Sequence, residues 1–252
     1  MNKIIAALLI FSCCMLHVHA QQPQEENDQN IVKMNVLGLL FRNYSFQYER
    51  MVGKKIAVSA TVRFMPQGQI PWFNTLTELA GADDLPDQVR DIRISHTAFA
   101  PEVRFYTGRK PGPRGFYIAP FARFSSYRLT LPQYEFEVDD NGGSRTETVD
   151  LSGNLSSFTG GFNLGVQWRL GKWTYLDWSI LGLSYGAANG RLTGTSSMTL
   201  DQEAQQSLRN AMEDFDSSAI TVRSEVDAHG VRSTLRGPWA GIRTALSIGV
   251  KF

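Results

Sequence analysis

The stretch that decides the fold is residues 160–184, which read GGFNLGVQWRLGKWTYLDWSILGLS. Its first half places an apolar side chain at every second position from Phe162 to Leu170, with polar or small residues between them. A period of two is the side-chain period of a β-strand. Gly171 and Lys172 supply a two-residue turn, and the alternation resumes after Trp173. The stretch is therefore predicted to be a β-hairpin with one apolar face and one polar face.

A hairpin of this kind fits two environments. A soluble protein would bury the apolar face in a core, whereas a membrane barrel would turn that face to lipid and the polar face to its own lumen. The choice between these two environments decides which class of function the sequence predicts.

The front of the chain is organised as an export signal. Lys3 precedes an apolar run, and Val18-His19-Ala20 offers small residues before a cut. This layout predicts a signal peptide over residues 1–20, too short to be a spanning helix. Cleavage after Ala20 is favoured over lipidation at Cys13, because Phe11 fits a lipoprotein cleavage box poorly.

Cleavage changes the composition of the remaining chain. It removes Cys13 and Cys14, the only two cysteines, and takes one of the 25 Lys and Arg, which leaves 24 against 24 Asp and Glu. No disulfide or catalytic thiol is then expected, and a neutral chain gives no reason to expect nucleic acid as a partner. No cluster has metal-ligand spacing, so neither a metal site nor a cofactor is predicted. Residues 21–30 are predicted to be a disordered leader, and residues 31–252 one β domain.

The rest of the chain repeats the hairpin pattern. Alternating segments predict eight strands, joined by short turns at one end and by larger connections at the other, over residues 65–93, 139–144 and 199–218. The last connection is predicted to hold a helix that Thr199 and Gln202 begin as a capping box. Even strand number and unequal loops are typical of outer-membrane barrels. The predicted fold is all-β, an eight-stranded antiparallel transmembrane β-barrel with a helix in the loop before the last strand.

Several short motifs carry a family resemblance. They are Lys33-Met34-Asn35, Tyr48-Glu49-Arg50, Arg104-Phe105-Tyr106-Thr107-Gly108, the segment GFYIAPFARF at 115–124, Gly160-Gly161, Asp177 and the terminal Phe252. With these motifs the chain resembles a small bacteroidete outer-membrane barrel family of unknown function, of the OmpA/OmpX-like class. The resemblance implies that Phe252, on an alternating last strand, is the signal read by the barrel-assembly machinery.

The charges on the inward face are predicted to form an ion network. An eight-stranded barrel has a lumen only wide enough for side chains, and buried charges there must pair. A structural network is favoured over a catalytic or conducting site. Its predicted members are Lys33, Glu49, Arg63, Glu102, Arg104, Arg123, Arg169, Asp177 and Arg243.

The larger connections are predicted to carry the binding surface. The helix has an apolar stripe, and the connection over residues 65–93 has the other sizeable apolar set on that side. The two are expected to cover each other across the mouth of the barrel. The residues of this loop binding surface are Trp72, Phe73, Leu208 and Phe215.

These features lead to a functional expectation. The protein is predicted to be a non-enzymatic barrel in the outer membrane of a Gram-negative bacterium, structural or adhesive. Its expected partners are outer-membrane lipid, the barrel-assembly machinery and an unidentified extracellular molecule. Two alternatives stay open: a soluble lipocalin-like barrel for a small apolar ligand, and a lipid-modifying outer-membrane enzyme that uses His96.

Overall fold

The computed structural model describes residues 30–80, 90–109, 111–140, 143–213 and 221–252. The predicted signal peptide, nearly all of the predicted leader, and Phe215 lie outside these residues. The described strands are β1 (Asn30–Asn35), β2 (Tyr44–Met51), β3 (Ile56–Gln69), β4 (Arg93–Tyr106), β5 (Gly115–Asp140), β6 (Gly143–Arg169), β7 (Thr174–Ser196), β8 (Thr221–Asp227) and β9 (Gly230–Lys251). The described helices are α1 (Val36–Leu39), α2 (Phe73–Ala80) and α3 (Gln202–Glu213).

The strands form one antiparallel sheet that closes on itself. Its order is β1-β2-β3-β4-β5-β6-β7-β9-β8, and β1 also pairs with β9. Eight strands therefore make the closed ring, and β8 pairs with β9 alone among the described strands. The predicted count of eight was wrong, because the described residues form nine strands and residues 221–227, which form β8, were not predicted to be a strand. Its alternating segment TVRSEVD carries only two valines, so it gives almost no hydrophobic signal.

The register around the ring fixes its stagger. Starting at Met34, the pairing runs through Phe46, Val62, Phe99, Phe124, Phe158 and Ala187 to Pro238. Met34 itself pairs with Ile248, ten residues further along β9. Eight strands with a stagger of ten residues tilt by about 40° to the axis of the ring. This tilt lies within the range of closed barrels.

The ring is much taller on one side than on the other. β5 and β6 have 26 and 27 residues, whereas β1 and β2 have 6 and 8. Beyond the last β4 pair, at Thr130, β5 continues with β6 as its partner. The part of the sheet beyond this level is called the extension. It consists of residues 131–140 of β5, the ends of β6, β7 and β9 that pair there, and the whole of β8. Its apolar face packs against α3, with Leu200, Ala204, Leu208 and Met212 buried against Leu131, Phe136, Val138, Val149, Leu151 and Val231.

This packing corrects the expected cover of the helix. The stripe of α3 lies against the extension, and among the described residues of the 65–93 connection it is Ile92 that packs against the same cluster. The helix also begins later than predicted. Asp201, and not Thr199, caps it: the Asp201 Oδ1 atom accepts from the Ala204 backbone N–H at 2.9 Å.

Two strand boundaries differ from the prediction as well. Although the apolar residues continue from Val36 to Leu40, the first strand ends at Asn35, whose side chain accepts a hydrogen bond from the Gly38 backbone N–H and caps α1. The alternation was expected to break at Met65, but β3 continues to Gln69. It absorbs Pro66 by a register shift between Met65 and Gly68.

The outer face of the ring is apolar. One cross-strand row places Phe46, Val62, Phe99, Phe124 and Phe158 on five adjacent strands, each 47–55% exposed. A second row, six residues away along the strands, places Ile56, Phe105, Ile118, Leu164 and Leu181 there, each 40–46% exposed. The outward positions between the two rows on β3 to β6 carry no charge. Of the described helices, none is both long and apolar enough to cross a membrane.

One residue on this face departs from the pattern. Phe162, Trp168, Trp178, Ile248 and Val250 are exposed, as their alternation predicts. Val166 was expected to be exposed with them but is only 5% exposed. It pairs with Phe116 on one side and Trp178 on the other, both larger than itself. A substitution of Val166 would therefore test local packing more than the medium outside the ring.

Candidate functional site in the lumen

The centre of the lumen is Lys33 on the short strand β1. Its ammonium contacts the Glu49 Oε2 and Asp177 Oδ2 atoms at 2.6 Å each, and it donates to the Gln167 side chain. Lys33, Glu49 and Gln167 are almost fully buried. These side chains meet because β1 pairs with β2, and because Gln167 and Asp177 are direct register partners on β6 and β7. The ammonium thus has three acceptors for its three N–H donors.

Arg104 on β4 completes the second half of the cluster. Its Nη1 lies 2.5 Å from Asp177 Oδ2 and 3.0 Å from Glu49 Oε2, and its Nε lies 2.5 Å from Glu102 Oε1. Its Nη2 donates to the Gln47 Oε1 atom at 3.0 Å. Arg243 on β9 pairs with the other oxygen of Glu102. Three cations and three carboxylates are therefore joined in one network, which we call the ion network.

Two tyrosines hold the carboxylates of the ion network. The Tyr106 hydroxyl donates to Glu49 Oε1 at 2.7 Å, and the Tyr117 hydroxyl donates to Asp177 Oδ1 at 2.9 Å. Arg104 also stacks on the Tyr117 ring, with its Cζ 4.3 Å from the centroid. Tyr117 has room there because a Cβ at Gly165 would collide with its ring. Every charge of the ion network thus has a partner, an arrangement that makes a buried polar cluster rigid.

Two predicted members lie in the lumen but outside the ion network. Arg63 and Arg123 are half-buried, and no carboxylate of the described residues lies within 4.0 Å of either guanidinium. Arg123 and Arg243 both stack on Phe121, with Cζ atoms 5.5 and 4.1 Å from the ring centroid. Arg63 and Arg243 line one small cavity beside the ion network. Three guanidinium groups therefore lie in this part of the lumen, and of these Arg243 alone has a carboxylate partner among the described residues.

The remaining predicted residues are placed elsewhere. Arg169 does not join the ion network: it is exposed, and it donates to the Gly171 and Lys172 carbonyls in its own turn. It lies at the end of β6, too far along the strand to reach the lumen charges. Phe252 is exposed at the end of β9, and its backbone N–H donates to the Asn30 carbonyl at 3.0 Å.

The predicted loop binding surface is divided. Trp72 is 64% exposed and donates to the Leu40 carbonyl at 3.3 Å, and Phe73 begins α2. Leu208 was expected on this surface, but it is fully buried, because the apolar stripe of α3 faces the extension. Leu208 is therefore a packing residue. Phe215 lies outside the described residues.

His96 offers little for catalysis. Its ring stacks on Tyr127 with centroids 4.3 Å apart, and its buried Nε2 atom has no hydrogen-bond partner. Ser95 precedes it in the same strand and points to the opposite face. Within the described ranges, no group of three or more His, Cys, Asp and Glu could hold a metal ion.

Sequence reasoning missed the neutral members of the site. Gln47, Tyr106, Tyr117 and Gln167 contact the charges, but the prediction selected charged residues alone. A signal was present, because each of the four alternates along its strand with apolar residues that face outward. Strand alternation therefore places all four on the inward face. Alternation along a strand predicts which face a side chain lies on. Which side chains contact each other depends also on their positions along the axis of the ring.

Comparison with known proteins adds a family. The family model described as "Protein of unknown function (DUF3575)" matches residues 6–191. This range includes five of the six charges of the ion network and leaves out α3, β8 and β9 with Arg243. No curated protein and no solved structure matches the chain. Because the matched range is more than half of the chain, the protein belongs to the DUF3575 family of proteins of unknown function.

Proposed function

We propose that the protein is an integral outer-membrane β-barrel of a Gram-negative bacterium, of the small OmpA/OmpX-like class. In this proposal it is not an enzyme. The ring holds the chain in the membrane, and the segments at its taller end carry a structural or adhesive role towards an extracellular partner. Outer-membrane lipid contacts the ring, and the barrel-assembly machinery reads Phe252 during insertion.

The observation that carries this proposal is the pair of apolar rows on the outer face. Ten large apolar side chains in two cross-strand rows are at least 40% exposed. A soluble monomer rarely exposes a contiguous apolar patch of more than a few hundred Å². From Phe158 on β6 to Leu170, the residue after the end of that strand, the outward positions carry no charge and span about 30 Å along the axis for a strand tilted by about 40°. That height is close to the apolar band of about 25 Å in outer-membrane barrels.

The lumen supports the same proposal. A lipocalin-like carrier needs an apolar interior for its ligand, but the interior at the level of the two rows holds the ion network. Lys33, Glu49 and Arg104 are buried there and paired. A filled polar lumen with an apolar exterior is the arrangement expected of a small membrane barrel.

The enzyme alternative has less support. A nucleophile or general base needs a partner within hydrogen-bond reach. The His96 ring is stacked on Tyr127, and the charges of the ion network are fully engaged with each other. The arrangement favours a structural role for these residues.

Membrane fractionation tests the proposal. The full-length protein, expressed in a Gram-negative host, should stay in the outer-membrane pellet after a carbonate wash. It should also migrate faster in a gel when it is not boiled, because a closed barrel stays compact in detergent. Recovery in the soluble periplasmic fraction, with no heat-modifiable migration, would sink the proposal and favour the lipocalin-like alternative.

A further inference from the structure

Two guanidinium groups in the lumen, those of Arg63 and Arg123, have no carboxylate partner among the described residues. Arg63 on β3 and Arg123 on β5 flank β4, whose inward residues at this level, Ala98 and Ala100, are small. Arg243 reaches the same place from β9 and shares the Phe121 ring with Arg123. The ion network below is balanced, so Arg63 and Arg123 add two positive charges that it does not neutralise.

Half-buried like charges are unfavourable without an anion. Removing a cation from water costs free energy unless a partner of opposite charge replaces the water, and neighbouring cations add repulsion. The described carboxylates nearby do not supply that partner, because both are already paired. Arg104 and Arg243 hold the two oxygens of Glu102, and Lys33 and Arg104 hold Asp177, which also lines the small cavity beside the ion network. The arrangement is therefore complementary to a negatively charged ligand.

Buried donors point to the same conclusion. The Arg243 Nε and Asn163 Nδ2 atoms are buried and have no hydrogen-bond partner. Both residues line the cavity that Arg63 also lines, together with the hydroxyl-bearing residues Ser45 and Thr61. The cavity volume is about 40 Å³, room for a few water molecules or one small anion. The unpaired groups in this cavity are N–H donors, so an acceptor-rich ligand would satisfy them.

We infer that Arg63, Arg243 and Asn163, which line this cavity, form a binding site for a tetrahedral oxyanion of the phosphate type, with Arg123 adding positive charge beside it. A guanidinium group presents a planar fork of N–H donors, which matches two oxygens of an oxyanion and does not match a spherical halide. Several guanidinium groups, the Asn163 amide and nearby hydroxyls would together surround such a ligand with donors. This site adjoins the ion network and shares Arg243 with it, and Lys33, Arg104 and Asp177 form the wall of the cavity on that side.

The inference concerns the lumen alone and does not depend on what surrounds the ring. The test uses the folded full-length protein, in detergent micelles if it is a membrane protein and in buffer if it is soluble. Sodium phosphate is titrated against sodium chloride at matched ionic strength. The temperature at which folded protein is lost and the heat of binding are both recorded. Phosphate should raise the unfolding temperature until the effect saturates, whereas chloride should not.

Variants locate the site. Arg63→Gln combined with Arg123→Gln should weaken phosphate binding by at least ~10-fold for each arginine lost, because charge-assisted hydrogen bonds are the strong ones. Arg169→Gln is the matched control, since that guanidinium bonds to carbonyls of its own turn. It should bind phosphate as the wild type does. Arg63→Lys keeps the charge but loses the fork that lines the cavity, and it should bind phosphate more weakly while folding normally.

Two results would overturn the inference. One is an equal response of the wild-type protein to phosphate and chloride at matched ionic strength, which would mean simple screening of the arginines. The other is wild-type affinity in the double variant, which would place the phosphate elsewhere. If the double variant does not fold, the wild-type titration and Arg63→Lys still decide the question. Failure of membrane insertion would be seen in fractionation and would leave this result unaffected.

Discussion

The Lys33 ammonium and the Asp177 carboxylate meet at 2.6 Å, although they lie on β1 and β7 and are separated in the ring by β9. The contact therefore ties together strands that share no backbone hydrogen bonds. It spans the place where the first and last strands of the chain close the ring. Ring closure there rests on five register pairs between β1 and β9, so side chains in the lumen matter most at this seam.

Lys33→Met should destabilise the ring strongly. The substitution leaves Glu49 and Asp177 with one shared cation, Arg104, in place of two. Breaking a buried ion pair by removing one partner typically costs about 3–5 kcal/mol. Urea unfolding of the detergent-folded or soluble protein measures the change. Lys172→Met, in the exposed turn between β6 and β7, is the matched control and should change the free energy of unfolding by less than about 0.5 kcal/mol.

A compensating substitution separates charge balance from packing. Lys33→Met combined with Glu49→Gln removes one charge of each sign and should recover part of the lost stability, because the remaining carboxylates again match the cations. If the double variant is as unstable as the sum of the two single variants, charge balance is not what Lys33 provides.

Leu164→Arg tests what surrounds the outer face. Leu164 lies midway along the apolar outward positions of β6, and it is exposed. If that face contacts lipid, the substitution should cost on the order of 2–4 kcal/mol. The control is Ser152→Arg, an exposed outward position on the same strand above the apolar rows. Equal folding yields in vesicles for the two variants would argue against a lipid-facing surface.

Leu208→Ala should detach α3 from the extension. Leu208 is fully buried among residues of β5, β6 and β9, and truncating such a side chain typically costs about 2–5 kcal/mol of local packing. Limited proteolysis should cut the α3 segment faster, while the ring remains folded and resistant. Gln206→Ala, on the exposed side of the same helix, should leave the cleavage rate unchanged. Loss of the resistant ring in Leu208→Ala would show that the extension is not a separate packing unit.

Acid should loosen the start of α3. The Asp201 carboxylate accepts hydrogen bonds from the Arg145 guanidinium and from the Ala204 backbone N–H. Both contacts lower the pKa of Asp201. A carboxyl whose folded pKa is depressed contributes stability above its unfolded pKa, near ~3.9. That contribution is lost as the pH falls through the lower, folded pKa. The protection of the Ala204 amide from hydrogen exchange, relative to an unfolded chain at the same pH, should therefore stay high down to about pH 4 and fall below it. In Asp201→Asn, which keeps a capping oxygen but no titrating carboxyl, this pH dependence should disappear.

The sequence predicts the hairpins well and the contacts poorly, for a physical reason. Strand alternation is local, so it places residues 160–184 in β6 and β7 and puts Glu49, Arg104 and Asp177 on one face. Contacts in the lumen depend on the stagger of the ring, which no single strand encodes. This is why Arg169 was grouped with charges that it cannot reach. Likewise, the sequence shows that Leu208 lies on the apolar stripe of the helix but not what packs against it. The cover is determined by how far β5 and β6 extend beyond the ring.

The pairing of β8 with the N-terminal part of β9 affects the tendency of copies of the chain to associate. Beyond the ring, β8 with its seven residues is the last of the described strands in the sheet, and the border strand of a sheet can pair with a strand from another molecule. The outward-exposed residues of β8 include Arg223, Glu225 and Asp227. Charged side chains at a sheet border disfavour added strands. β8 thus protects the backbone of β9 from intermolecular pairing, and we expect a chain that lacks it to aggregate through its exposed border.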